Sequence, residues 1–220
     1  MDASPMPIVA AILDAFGTTV HIGRKLHPFR RLLRIGAEQG RRPSAADLHT
    51  LMTSTLSLEE SAEHFGIRVS AQRLTSLQGD LEAELASITV FPDAVDAMSM
   101  FKTEGIAIGI CSNLASPYGP VVMQLLGEVD GLALSYELGI TKPHPDIYRE
   151  ICHRLSVPPF WDMTALGDRV VMIGDSPQCD RDGPRIIGIS GYHLDRKGAG
   201  RISNLAQFAE LVIEDRRNGR

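Results

Sequence analysis

The chain has little of what several protein classes require. Its 220 residues hold three cysteines, Cys111, Cys152 and Cys179, an odd number with no Cys-x-x-Cys pair. That argues against a disulfide framework and a thiolate zinc site, and it fits a reducing cytoplasm. Seven histidines show neither His-x-His nor His-Glu-x-x-His spacing, so a histidine metal site is not expected. No apolar run approaches the roughly 18 to 20 residues a membrane span needs, and the amino terminus lacks the basic start of a secretory signal. Positive charge is not in excess: the formal net charge is -5. A protein that binds a nucleic-acid backbone needs clustered positive charge, so neither nucleic acid nor membrane is an expected partner. Low-complexity segments and internal repeats are also missing.

What is present is a globular composition, 44% hydrophobic, enough for one full core with an inserted subdomain. Five short apolar runs stand out: IVAAILDAF (8–16), IAIGICSN (106–113), GLALSYELG (131–139), VVMIGDS (170–176) and IIGISGYHL (186–194). Nearly continuous hydrophobicity is the mark of strands covered on both faces, and helix-like segments separate the runs. The alternation predicts an α/β fold, a doubly wound parallel sheet with crossover helices. Residues 21–88 break the rhythm. They show helical spacing, start signals at Ser44 and Ser70, and no convincing strand. The expected organisation is a core of residues 1–20 and 89–220, with 21–88 as a helical cap hanging over the carboxyl ends of the strands, where ligands of open α/β sheets bind.

Those strand ends carry the chemistry. The first run ends at Asp14 with Thr18 nearby, the second at Ser112 and Asn113, and the fourth at Asp175 with Asp180 five residues on; Lys142 follows the third. Carboxylates, a lysine and hydroxyls gathered on one rim are costly to desolvate unless they bind a cation or an anionic substrate. Trp161, the single tryptophan, is expected to pack the loop before the fourth strand. The basic segment GRKLHPFRRLLR (23–34) reads as a solvated cap helix or one facing an anionic substrate.

The segments DAFGTT, CSN, GITKPHPDIY and MIGDSPQCDRDG resemble the four motifs of the haloacid dehalogenase-like hydrolases, in the branch whose helical cap lies between the first and second. The resemblance covers almost the whole chain. It implies a Rossmann-like core and makes Asp14 the nucleophile, which forms a covalent aspartyl intermediate. Ser112 and Thr18 would hold substrate oxygens and Lys142 would steady the charge on Asp14. Mg2+ would be bound by Asp14, the backbone carbonyl of Phe16, Asp175 and Asp180, hard oxygen ligands that suit that ion. Asn113 and Tyr148 become candidate substrate-binding residues. The implied substrate is a small anionic molecule, taken by a monomer or homodimer.

Phe16 stands where phosphatases of the family carry a second acid. Losing a positioned acid typically lowers rate about 10² to 10⁴-fold. One reading is a magnesium-dependent phosphatase whose leaving group needs no proton, as for aryl or acyl phosphates, or one in which His21 supplies it. Another is a 2-haloacid dehalogenase, because a halide leaves without a proton; Arg41 or Arg42 would then hold the substrate carboxylate. A phosphonate-cleaving enzyme would need a cap lysine, and Lys25 is too close to the first motif. A non-catalytic protein that captures a phosphorylated ligand is the remaining alternative. Asp175 favours the phosphatase, since a second carboxylate beside the nucleophile repels it unless a cation lies between them.

Overall fold

The computed structural model describes residues 7–157, 170–198 and 200–218; Trp161 and its expected packing lie outside them. The apolar run at 8–16 contributes strand β1 (Ala10–Leu13), four fully buried residues. After a tight turn the chain forms β2 (Val20–Ile22) and the helices α1 (Pro28–Glu38), α2 (Ala45–Met52), α3 (Leu58–His64) and α4 (Ala71–Leu85). It returns through β3 (Ile88–Val90), which pairs antiparallel with β2. From there helices and strands alternate: α5 (Pro92–Thr103), β4 (Ala107–Ser112), α6 (Gly119–Leu126), β5 (Gly131–Leu134), α7 (Ser135–Leu138) and α8 (Pro145–Arg154). The last elements are β6 (Val170–Gly174), α9 (Gly183–Arg185), β7 (Ser190–His193) and α10 (Leu205–Asn218).

The five long-range strands form one parallel sheet in the order β5-β4-β1-β6-β7. Because β1 is central, the chain leaves it towards β4 on one side and arrives at β6 on the other. That reversal opens a crevice beyond the carboxyl end of β1. The pleat sends alternate side chains of β1 to opposite faces. Ala11 and Leu13 pack with α5, α6 and α10, through Phe101, Val122 and Phe208 among others. Ala10 and Ile12 pack with α8, through Ile147, Tyr148 and Ile151. Helices α1 to α4 bury a separate apolar cluster that includes Phe29, Leu32, Leu51, Leu58 and Leu77.

The structure corrects the sequence reading in three places. Residues 21–88 do contain strand: His21 and Ile22 pair with Thr89 and Ile88, a ribbon too short to show period-two alternation. The helical stretch at 44–66 is two helices, because Ser57 starts a new one by accepting the Glu60 amide at 3.2 Å while Glu60 accepts the Ser57 amide at 2.8 Å. The runs at 131–139 and 186–194 are only partly strand; the first turns into α7 at Ser135, and the second begins as the end of a helical turn at Ile186–Ile187. No described helix is long and apolar enough to cross a membrane.

Candidate active site

Asp14 is the first residue beyond β1, and its amide donates to the Ile173 carbonyl of β6 at 3.0 Å. The carboxylate is therefore fixed at the crevice by the sheet itself. Turn residues behind it add support: the Thr19 hydroxyl donates to the Asp14 carbonyl at 3.0 Å, and Gly17 takes φ +82°. A side chain at Gly17 would be strained there and would also run into the Asp175 carboxylate. Gly174 serves the same purpose at the end of β6, where a Cβ would collide with Asp180 and crowd Asp14.

Lys142 reaches in from the loop before α8. Its Nζ donates to Asp14 Oδ1 at 2.8 Å and to Asp180 Oδ1 at 2.6 Å, and all three side chains are buried. Burial alone would lower the lysine's pKa, but the Asp14 and Asp180 carboxylates outweigh it and hold Lys142 well above its ordinary value. Asn113 fixes the base of that side chain. Its Nδ2 donates to the Lys142 carbonyl at 2.9 Å and its Oδ1 accepts the Lys142 amide at 2.8 Å. Asp180 also accepts the Ser176 amide at 2.9 Å. Burial pushes its carboxyl up to about 6, with Lys142 opposing the rise and Asp14 adding to it. Asp175 is exposed at the mouth, and its carboxyl is raised by partial burial and then by the charge of Asp14.

Oxygens of Asp14, Asp175 and Asp180 lie within 4.8 Å of one another. Three carboxylates sharing one lysine leave an excess of negative charge. This hard-oxygen donor set, short of positive charge, fits a small divalent cation such as Mg2+. Asp14 Oδ2 has only a 3.5 Å contact from the Thr18 hydroxyl, which in turn accepts the Asp175 amide at 3.1 Å. Ser112 ends β4, the strand beside β1. Its Oγ is buried and has no hydrogen-bond partner among the described residues, an arrangement that costs stability unless a ligand satisfies it.

Most of the sequence-derived residues thus come together: Asp14, Thr18, Lys142, Asp175 and Asp180, with Asn113 as a support, Phe16 in the same turn and Ser112 at the end of the neighbouring strand. Three do not. Tyr148 is fully buried in the core, and its hydroxyl donates to the Cys179 carbonyl at 2.6 Å, bracing the turn that carries Asp180 instead of lining the crevice. Arg41 is bound bidentately to Asp47, at 2.7 and 2.6 Å, and lies over the Phe65 ring at 4.7 Å, within the helical insertion. Arg42 is exposed and is not among the residues around the cleft described below. His21 is engaged by Thr89 at 2.7 Å on the β2–β3 ribbon and stacks near Phe91. Cys111 is buried, and burial pushes its thiol up to about 12, so it is inert.

Two further residues carry no signal in the local pattern of the chain. Arg196 lies over Phe91 at 3.7 Å, pairs with Asp93 at 2.9 Å, and donates to the Gly17 and Thr18 carbonyls at 3.2 and 2.5 Å. It clamps the turn after Asp14. Glu84, at the end of α4, is buried and accepts the Leu26 and His27 amides at 2.5 and 2.7 Å and the Tyr118 hydroxyl at 2.7 Å. Tyr118 meets Phe16 edge to face at 5.7 Å.

A parallel sheet with an aspartate-bearing turn, a buried lysine and an acidic cluster at its switch point places the chain among the α/β proteins whose ligands bind in the crevice beyond the strands. The sequence pattern of the haloacid dehalogenase-like hydrolases matches residues 8–186, and the chain belongs to that family. No curated protein sequence matches it. Among solved structures, it is similar to a HAD phosphatase from Thermococcus onnurineus, with 20% identity, TM-score 0.63, and 93% of this chain and 98% of that one covered. It is also similar to a 2-haloacid dehalogenase from Pseudomonas syringae pv. Tomato DC3000, with 17% identity, TM-score 0.59, and coverage of 94% and 99%. A third is a HAD family enzyme variant from Bacteroides thetaiotaomicron in complex with magnesium and inorganic phosphate, with 16% identity, TM-score 0.54, and coverage of 84% and 94%. At such identities the likeness speaks for the fold.

Proposed function

We propose that this hydrolase is a Mg2+-dependent phosphatase acting on a small organic phosphate, with helices α1 to α4 as its cap. The observation that carries the reading is the cluster of Asp14, Asp175 and Asp180 with oxygens within 4.8 Å. A dehalogenase has no use for a negative charge at Asp175 beside its nucleophile, whereas a metal-dependent phosphoryl transfer does. The similar phosphatase and the magnesium–phosphate complex accord with it.

In this reading Asp14 Oδ2, the less engaged oxygen, attacks phosphorus. The Asp14–phosphorus bond forms as the bond to the leaving oxygen breaks, and the leaving group takes the electron pair. Lys142 holds Asp14 Oδ1 and neutralises charge at the reacting centre, while the Ser112 and Thr18 hydroxyls receive phosphoryl oxygens. Water then attacks phosphorus, releasing phosphate and restoring the carboxylate. Asp14, the Phe16 carbonyl and Asp175 would hold Mg2+, with Asp180 behind them, and the ion would supply charge neutralisation for the phosphoryl group. Phe16 has no proton to give, so the substrate leaves as a weak base, an aryl oxide or a carboxylate.

The test is hydrolysis of an aryl phosphate with and without added magnesium, Asp14→Asn being the control. The expected result is magnesium-dependent turnover that falls at least about 10³-fold in the variant, as for loss of other covalent nucleophiles, with an unchanged circular dichroism spectrum. Turnover that persists in Asp14→Asn rules out the covalent mechanism. The second reading, 2-haloacid dehalogenation, rests on Phe16; halide release from 2-haloacids without added metal, and no phosphate release, would establish it. The three free cysteines fit a cytoplasmic setting for either activity.

A further inference from the structure

An open cleft of about 310 Å³ lies between the helical insertion and the core, and it reaches the site through Phe16, two residues after Asp14, and Asn113, which holds Lys142. Its walls are apolar: Phe16 from the turn after β1, Leu114 and Tyr118 after β4, Phe29 of α1, and Leu48 and Met52 of α2. The polar groups around it are nearly all spent. Glu84 has its three donors, and the Asn113 amide is taken up by the Lys142 backbone. His27 and Arg30 are exposed, and their side chains have no partner among the described residues. Leu48 is 52% exposed, which extends the apolar wall outward to the mouth.

A ligand group entering such a cleft gains by being apolar and loses by carrying hydroxyls. Each hydroxyl would leave water for walls whose unpaired polar side chains, His27 and Arg30, are both exposed, and the buried part of the wall offers it no free side-chain partner. Phe16 then has two consequences from one substitution. It withholds a proton from the leaving group, and it supplies an aromatic wall against which that group packs, with Tyr118 edge-on behind it.

We propose that this cleft selects the substrate by burying an apolar leaving group, so that the substrate class is aryl phosphates and acyl phosphates of apolar carboxylic acids, and polyhydroxylated sugar phosphates are rejected. The proposal rests on the phosphatase reading for the chemistry, but the selectivity resides in the cleft.

Binding of uncleavable analogues separates the two. Dissociation constants of methyl-, butyl- and phenylphosphonate for the full chain, measured by calorimetry with magnesium present, are independent of leaving-group basicity. Affinity is expected to rise about fourfold per buried methylene, hence at least about tenfold from methyl- to butyl- or phenylphosphonate. Leu48→Ser, at an exposed position, is expected to reduce that ratio about threefold. Affinities equal within threefold across the series, or no binding by any of the three, would overturn the proposal. Hydrolysis of phenyl phosphate and glycerol 3-phosphate is measured alongside. Rising phosphonate affinity with no phosphate hydrolysed would reject the phosphatase reading and leave the selectivity standing. Hydrolysis of both phosphates with flat affinities would do the reverse.

Discussion

The unpartnered Ser112 hydroxyl is a strained feature at the scale of one residue. A buried hydroxyl without a hydrogen-bond partner costs about 1–3 kcal/mol, and β4, the strand paired with β1, ends on it at that cost. Ser112→Ala is therefore expected to raise the melting temperature by roughly 2–4 °C for each kcal/mol recovered while lowering kcat/KM at least about tenfold, since a donor aimed at the reacting group is lost. A variant with unchanged stability and unchanged kcat/KM would show that the hydroxyl meets no substrate. Ser112, like Asp14, Asn113, Lys142, Asp175 and Asp180, was legible in the sequence because each follows an apolar run that a parallel sheet must end on one rim. Arg196 was not. Its partners Gly17 and Thr18 are nearly the whole chain away, and nothing in the local pattern around it signals a guanidinium folded back over Phe91. Arg41 failed in the opposite direction. Its distance along the chain suited a substrate clamp, but Asp47 lies six residues on and captures it.

Individual elements were readable where they obeyed a start rule. Ser44 and Ser70 cap α2 and α4 as expected, whereas the β2–β3 ribbon, three residues on each side, is defined only by its pairing. Helix α2 carries a charge pair with a pH signature. The hydrogen bonds from Arg41, and then the Ser44 amide, push the Asp47 carboxyl from an ordinary 3.8 down to about 2. A group whose folded pKa is depressed contributes stability above its unfolded pKa and loses it as pH falls through the folded one. The contribution of the Arg41–Asp47 pair is thus complete above about pH 4 and gone near pH 2. Arg41→Met keeps an apolar stem against Phe65 and removes the charge. The difference in melting temperature between the native chain and this variant is expected to be constant above about pH 4 and to shrink towards pH 2. A difference that stays constant to pH 2 would mean that Asp47 is not held by the guanidinium.

For the whole molecule, the question is how the insertion stays seated on the core. The parallel sheet and its cover on both faces followed from the spacing of apolar runs, but the strand order and the seating did not; the seating depends on one carboxylate that belongs to no such pattern. Glu84 closes α4, receives the amides of Leu26 and His27 at the other linker, and reaches across to Tyr118 beyond β4. One buried group therefore joins the way into the insertion, the way out of it and the core. His27 is held at φ 54°, a conformation that costs energy outside glycine, and the Glu84 contact to its amide helps to fix it. Tyr118→Phe keeps the ring against Phe16 but leaves Glu84 Oε1 without its donor, at a cost of about 1–3 kcal/mol. Because that bond joins insertion to core, the loss falls on the seating and not on the sheet. Amide hydrogen exchange is expected to accelerate about 5- to 100-fold in α1 and α4, while amides of β1, β4 and β6 keep their protection. Acceleration spread evenly over the sheet and the insertion would instead show that the two open as one unit, and that Tyr118 contributes to global stability alone.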